Sequence, residues 1–242
     1  MNQIKPTADR TTWKSLYRVG ATAPLVALGF YLIQVLAMVF GGANPTTITD
    51  YAALLQRNRV LGLLYLNALD VFSIAFLGTM FLALCIALRQ VNRSYAVIAA
   101  LFAFLGVAAF VVPRVLMLSV VPLSGQYAIA TTETQRTVLL AAMETLNSFG
   151  IATNRTIGFL FMTIASLIIS VVMTKSAAFT RATAYVGILA SAFTIAMDIL
   201  LFVAPSIAAL GAFLDALPWL VWWLLVSRDL FGLARISPKA QR

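Results

Sequence analysis

Hydrophobic residues run on for twenty or more positions at a time along most of this chain, without the every-second-residue alternation of a membrane strand. Six such runs cover about 18–41, 60–88, 94–122, 151–174, 180–203 and 207–227. A helix rises about 1.5 Å per residue, so each run is long enough to cross a hydrocarbon core roughly 30 Å thick. The pattern predicts an all-α, polytopic transmembrane bundle of six helices, with 1–242 forming one integral membrane domain. One or two short extracytoplasmic amphipathic helices are expected between the spans. In NPTTITDYAALLQRNR, Thr47 is followed three residues later by Asp50, the spacing of a capping box that opens a short interfacial helix. In TTETQRT, Thr132 is placed to cap and Gln135 to answer it, so a helix should run from Glu133 toward Phe149. Gly150 either separates that helix from the fourth span or lies inside one continuous helix.

Composition strengthens this picture. Hydrophobic residues make up 62% of the chain and charged residues 10%, against roughly 45–50% and roughly 25% in ordinary soluble domains. The first run follows Lys5, Arg10, Lys14 and Arg18. It exceeds the roughly 7–15 apolar residues of a signal peptide, so an uncleaved first span is expected. The net charge of +9 sits mostly beside the spans and sets topology instead of attracting nucleic acid, for which no reader motif is present. With the N-terminus inside, Lys5, Arg10, Lys14, Arg18, Arg89, Arg93, Lys175, Arg181, Arg228, Arg235, Lys239 and Arg242 are inner residues, 12 of the 17 basic ones. Both termini are therefore expected in the cytoplasm, in a cell (cytoplasmic) membrane, with Trp13 and Trp223 as interfacial anchors.

What the chain lacks narrows its chemistry. It contains no histidine and one cysteine, Cys85. A histidine-ligated zinc site, a Ser–His–Asp triad and an intrachain disulfide are thereby excluded. No phosphate loop, nucleophile motif or metal-ligand spacing appears, so no catalytic residue, metal or cofactor is expected.

Polar residues inside the runs carry what functional signal there is. On a continuous helix, Asp70 lies about 16 Å below Arg59, near mid-depth. Arg114 lies about 30 Å above Ser94, at the outer boundary, and Asp198 and Asp215 fall in the outer halves of spans five and six. Gln34 is about 24 Å above Arg18, and reads as a packing group. Asn154 and Arg155 open span four. Asn67, Asp70 and Ser73 recur every three residues, and Glu144, Asn147, Gly150 and Asn154 follow a similar line. The inner halves carry nothing comparable, so polarity is expected on one side. A charge at the bilayer centre costs about 2.5–3.5 kcal/mol. Asp70 should therefore face the bundle or a wet cavity, with Arg114 and Arg155 as countercharges. Met117, Met143 and Met162 read as core or lipid-facing filler.

The segment LRQVNRSYAVIAALFAFLGVA, Leu88 to Ala108, follows an Asp-bearing span and precedes a long outer excursion. Together with the Leu16–Tyr17–Arg18 entry, the outer amphipathic helix and the Asn-bearing start of span four, it resembles an uncharacterised bacterial membrane family, domain of unknown function 4386. The resemblance implies six helices and a bacterial plasma membrane, and supplies no catalytic residue.

Four functions stay open. An outward-facing polar pocket could bind a small or lipidic ligand through Asp70, Arg114, Asp198, Asp215, Asn67, Glu144, Asn154 and Arg155. A secondary transporter could use Asp70 as a proton or ion site. Asp198 and Asp215 could do acid–base work as a pair, although nothing else favours an enzyme. The buried charges could instead only fix helix packing in a structural or assembly protein. The first reading is preferred, because ionisable groups within a membrane mark functional sites by default. Membrane lipids and a small-molecule or lipid ligand are the expected partners; oligomeric state is not encoded in any visible pattern.

Overall fold

The computed structural model describes residues 13–43, 45–153, 157–203 and 205–235. Among them there are ten α-helices and no strand: α1 (Lys14–Phe40), α2 (Ile48–Arg57), α3 (Arg59–Tyr65), α4 (Asp70–Leu88), α5 (Arg93–Met117), α6 (Val120–Ile129), α7 (Glu133–Thr153), α8 (Phe159–Met173), α9 (Arg181–Val203) and α10 (Pro205–Arg235). Among the described residues, five stretches are long and apolar enough to cross a membrane: Lys14–Phe40, Asp70–Leu88, Arg93–Ile129, Arg181–Leu200 and Asp215–Arg235. In place of the expected span 151–174, the described apolar helix is Phe159–Met173, 15 residues or about 22 Å. Large side chains such as Leu36, Val112, Leu189 and Ile199 are more than half exposed, as lipid-facing positions are and as a soluble domain of this size rarely tolerates. The chain is a multi-pass helical membrane protein.

Of three departures from the sequence expectation, two have a local cause. The second run is not one helix over 60–88. It breaks into α3 and α4 across 66–69, where Asn67 adopts φ +53°, left-handed backbone. Asparagine is the ordinary residue best suited to that region after glycine. The third run is interrupted at 118–119, four residues before Pro122. Proline has no N–H for the Leu118 carbonyl, yet fits the first turn of the new helix α6. Pro113, by contrast, lies within α5, which continues past it. The last helix extends to Arg235 rather than ending at 227.

Packing divides the chain into two compact units. One comprises Met1–Val26, Phe76–Leu105 and Leu160–Arg242; the other comprises Ala27–Ala75 and Gly106–Phe159. In the second unit, α2 packs on α3, α6 and α7. Its core joins Ile48, Ala52, Leu55, Leu66, Met117, Val120 and Met143. The 3–4 spacing of Ile48, Ala52 and Leu55 gives α2 one apolar face, and Met117 and Met143 are core. The expected capping box is present: Thr47 Oγ1 accepts from Asp50 N at 3.2 Å, while Asp50 Oδ2 accepts from Thr47 N at 2.9 Å. These bonds hold the Asp50 carboxyl down at about 2, the Thr47 N–H contributing most. At the start of α7, Thr132 Oγ1 accepts from Gln135 N at 3.3 Å as expected. The Gln135 side chain, however, reaches Thr131 N. Helix α7 then runs through Gly150 to Thr153, so Gly150 does not separate two helices.

In the first unit, α9 and α10 pack along their length. Small residues let the backbones approach closely. A Cβ on Gly187 would overlap both Ser170 Oγ and Trp222 Nε1, and one on Gly20 would overlap the Ala83 methyl. Met162 is buried in this unit.

Candidate functional site

The break at Asn67 decides where Asp70 stands. The Asn67 carbonyl accepts the Asp70 N–H at 3.0 Å, and Asp70 becomes the first residue of α4. The apolar span starts at that residue and runs 19 residues, about 28 Å. Asp70 therefore sits at the end of a membrane-length helix, whereas an unbroken run would place it near mid-depth. The position also suits a carboxylate electrostatically, because a helix N-terminus carries partial positive charge. Asn67 shares no helical face with Asp70 or Ser73, since the turn intervenes; its contribution is the backbone turn itself. Ser73 uses its hydroxyl on the Leu69 carbonyl at 3.1 Å.

Two residues from other helices converge on the carboxylate. Arg114 Nη2 lies 3.3 Å from Asp70 Oδ2. Gln34 Nε2 donates to Asp70 Oδ1 at 2.8 Å. Helix geometry accounts for the Arg114 pairing. Counted from the turn between α4 and α5, Asp70 is 18 residues before Leu88 and Arg114 is 21 after Arg93, so both lie at the far end of the hairpin. Arg114 also sits over the Phe110 ring, 5.4 Å from its centroid, and its Nη1 approaches Met117 Sδ at 3.5 Å. Gln34, first read as a packing group, is thus a direct partner of the charge pair. Its signal in the sequence was an amide within an apolar run, at the same end as Arg114.

The trio is not saturated. Gln34 is 3% and Arg114 8% exposed, yet Gln34 Oε1 and Arg114 Nε have no hydrogen-bond partner among the described residues. Buried polar atoms are nearly always paired, and an unpaired one costs about 1–3 kcal/mol. Asp70 itself keeps 23% of its side-chain surface exposed, so the carboxylate is where the trio opens. One buried acceptor and one buried N–H donor are left unpaired among the described residues, around a pair of zero net charge.

The other expected site residues distribute differently. Glu144 is exposed on α7, one residue after the buried Met143, and does not join Asp70 and Arg114. Asn154 and Arg155 lie outside the described residues. Asp198 and Asp215 belong to the first unit. There Thr194 Oγ1 donates to Asp215 Oδ1 at 2.6 Å and accepts from Trp219 Nε1 at 2.8 Å, and Asp198 follows Thr194 by one helical turn.

The first unit also overturns the expectation that only one side carries buried polarity. Asp229, inside the lengthened α10 and 8% exposed, accepts from Thr180 N at 3.0 Å and from the Thr183 hydroxyl at 2.5 Å. Arg228 pairs with it at 2.9 Å. The carboxylate supplies from a distant helix the cap that α9 requires at its start. The apolar run over 207–227 ends before it, so hydropathy alone gives no signal for it. Thr163, Ser166, Ser170, Thr183 and Ser191 add fully buried hydroxyls. Among the described residues, no group of three His, Cys, Asp or Glu side chains could hold a metal ion.

The family model described as a domain of unknown function (DUF4386) matches residues 25–227. No curated protein matches the chain, and no solved structure does.

Proposed function

The chain belongs to the DUF4386 family, and from that premise we propose that it binds a small polar or lipidic ligand at the Asp70–Arg114–Gln34 trio. The observation that carries the reading is the unpaired Gln34 Oε1 and Arg114 Nε on the two side chains that hold Asp70. The Asp229 cluster, by contrast, closes on its own partners. Here a ligand would complete the bonds, entering at the Asp70 carboxylate. The site opens to the extracytoplasmic side of the cytoplasmic membrane, with both termini inside, on the distribution of basic residues.

Native mass spectrometry of the mildly solubilised protein, wild type against Asp70→Asn, tests this. A retained adduct in the wild type should be absent from the variant. No adduct in either, together with a large loss of thermal stability in the variant, would show that Asp70 holds the fold and binds nothing.

Ion-coupled passage is a second reading, favoured by the helix break beside Asp70. Transporters place discontinuous helices at their substrate and ion sites. Flux into proteoliposomes that is indifferent to pH gradients and to Asp70→Asn would remove it.

A further inference from the structure

We infer that the occupant of the Asp70 trio is an amphiphile with an uncharged, hydroxyl-bearing head, such as a monoacylglycerol. This inference rests on the ligand-binding reading above. The charge balance comes first. Asp70 and Arg114 neutralise each other at 3.3 Å. An anion entering here meets the carboxylate, and a cation meets the guanidinium. Each faces a like charge in a setting where Arg114 is 8% exposed and water screens weakly. A net-neutral head meets neither penalty.

Hydrogen-bond complementarity narrows the head further. The atoms left without a partner among the described residues are an acceptor, Gln34 Oε1, and a donor, the Arg114 Nε–H; both are buried, and a head reaches them past the partly exposed Asp70 carboxylate. The amide of Gln34 is oriented by its donation to Asp70 at 2.8 Å, so it cannot turn its N–H outward without breaking that bond. A hydroxyl both donates and accepts, and two neighbouring hydroxyls satisfy both atoms. An ether or ester alone can only accept.

The tail follows from position. Asp70 is the first residue of an apolar span, where headgroups give way to hydrocarbon. The side chains around the trio that point away from the core are apolar: Phe72, Val112, Val115, Ile33 and Leu36 are all exposed. Phe72 leans on Phe30 with ring centroids 6.4 Å apart. A head seated at Asp70 leaves its chain along this lipid-facing surface, where burying each methylene contributes about 0.8 kcal/mol.

The test offers three probes with one acyl chain, monoolein, oleate and oleylamine, to the full-length protein in neutral detergent, and reads retention by native mass spectrometry. Wild type should retain monoolein over either charged probe by roughly tenfold. Asp70→Asn leaves Arg114 as a lone cation and should turn the preference to oleate. Arg114→Gln leaves Asp70 as a lone anion and should turn it to oleylamine. Equal retention of a charged probe by the wild type overturns the inference, as does an unchanged preference in both folded variants. Should the charge variants fail to fold, Gln34→Leu keeps the pair; undiminished monoolein retention there overturns the inference too. If none of the probes is retained while a native adduct still disappears in Asp70→Asn, the uncharged head is wrong and the ligand site stands.

Discussion

The Asp70–Arg114 pair should behave as a coupled unit, and a double-mutant cycle measures the coupling. The two side chains are 23% and 10% exposed, and their charged atoms are 3.3 Å apart. Fully exposed pairs contribute about 0.2–1 kcal/mol, whereas breaking a buried pair by removing one partner costs about 3–5 kcal/mol. The partial exposure of Asp70 and a separation longer than the usual 2.7–2.9 Å of charge-assisted bonds place this pair between the two. Arg114→Gln should therefore cost about 2–3 kcal/mol, leaving the carboxylate with Gln34 as its remaining side-chain donor. Asp70→Asn should cost about 2 kcal/mol, because the amide still offers an oxygen to Gln34. The double variant should be close to the harsher single one, a coupling of about 1.5–2.5 kcal/mol. Reversible unfolding in mixed dodecyl sulfate and maltoside micelles, followed by far-ultraviolet circular dichroism, reads each value. Losses that add to within about 0.5 kcal/mol would refute the pairing.

Three further outcomes are expected. Gly187→Ala should destabilise the first unit by about 1–3 kcal/mol through overpacking, since the added methyl overlaps Ser170 and Trp222; Ser170→Ala in the same chain should recover part of the loss in the same unfolding assay, and no recovery would place the clash elsewhere. Asn67→Gly should leave stability nearly unchanged, whereas Asn67→Val should lose about 1–2 kcal/mol because a β-branched residue resists φ near +53°; equal behaviour of the two would mean the left-handed turn does not form. The Asp50 carboxyl is held at about 2 against an ordinary 3.8, so its capping contribution is full above pH 3.8 and is lost as the pH falls toward 2. Hydrogen exchange of the first turn of α2 should therefore accelerate over that interval, and Asp50→Asn should abolish the acid step.

Local chemistry was readable in advance and long-range chemistry was not. Thr47 and Asp50 are three residues apart, and their capping box follows from that spacing alone. Long apolar runs announced membrane-length helices for the same reason but not their number, since five described stretches are long enough where six were expected. The turn at Asn67 stayed hidden because LYLNALD contains neither glycine nor proline, and a lone asparagine within an apolar run carries little breaking signal. That one turn moved Asp70 from mid-depth to a helix end and removed the shared face on which Asn67 had been placed. Arg114 was legible as a countercharge, although counting rises put it at the outer boundary and Asp70 near mid-depth. Gln34 was not, since its bond to Asp70 joins residues 36 apart and depends on how α1 packs. Asp229 was missed for the opposite reason: an ending judged from hydropathy stops the helix at 227, while hydrogen bonding carries it to Arg235.

The span that starts at Asp70 has no length to spare. At 19 residues it covers about 28 Å, whereas α1, at 27 residues, covers about 40 Å. In a bilayer of average thickness α1 must lean or protrude, and it can answer a thicker membrane by standing more upright. Helix α4 has no such reserve. Thickening the hydrocarbon would draw its first residue inward, so hydrophobic mismatch is felt first at Asp70 and is transmitted directly to Arg114 and Gln34. The Asp70–Arg114–Gln34 contacts are therefore tied to the acyl-chain length of the surrounding lipid.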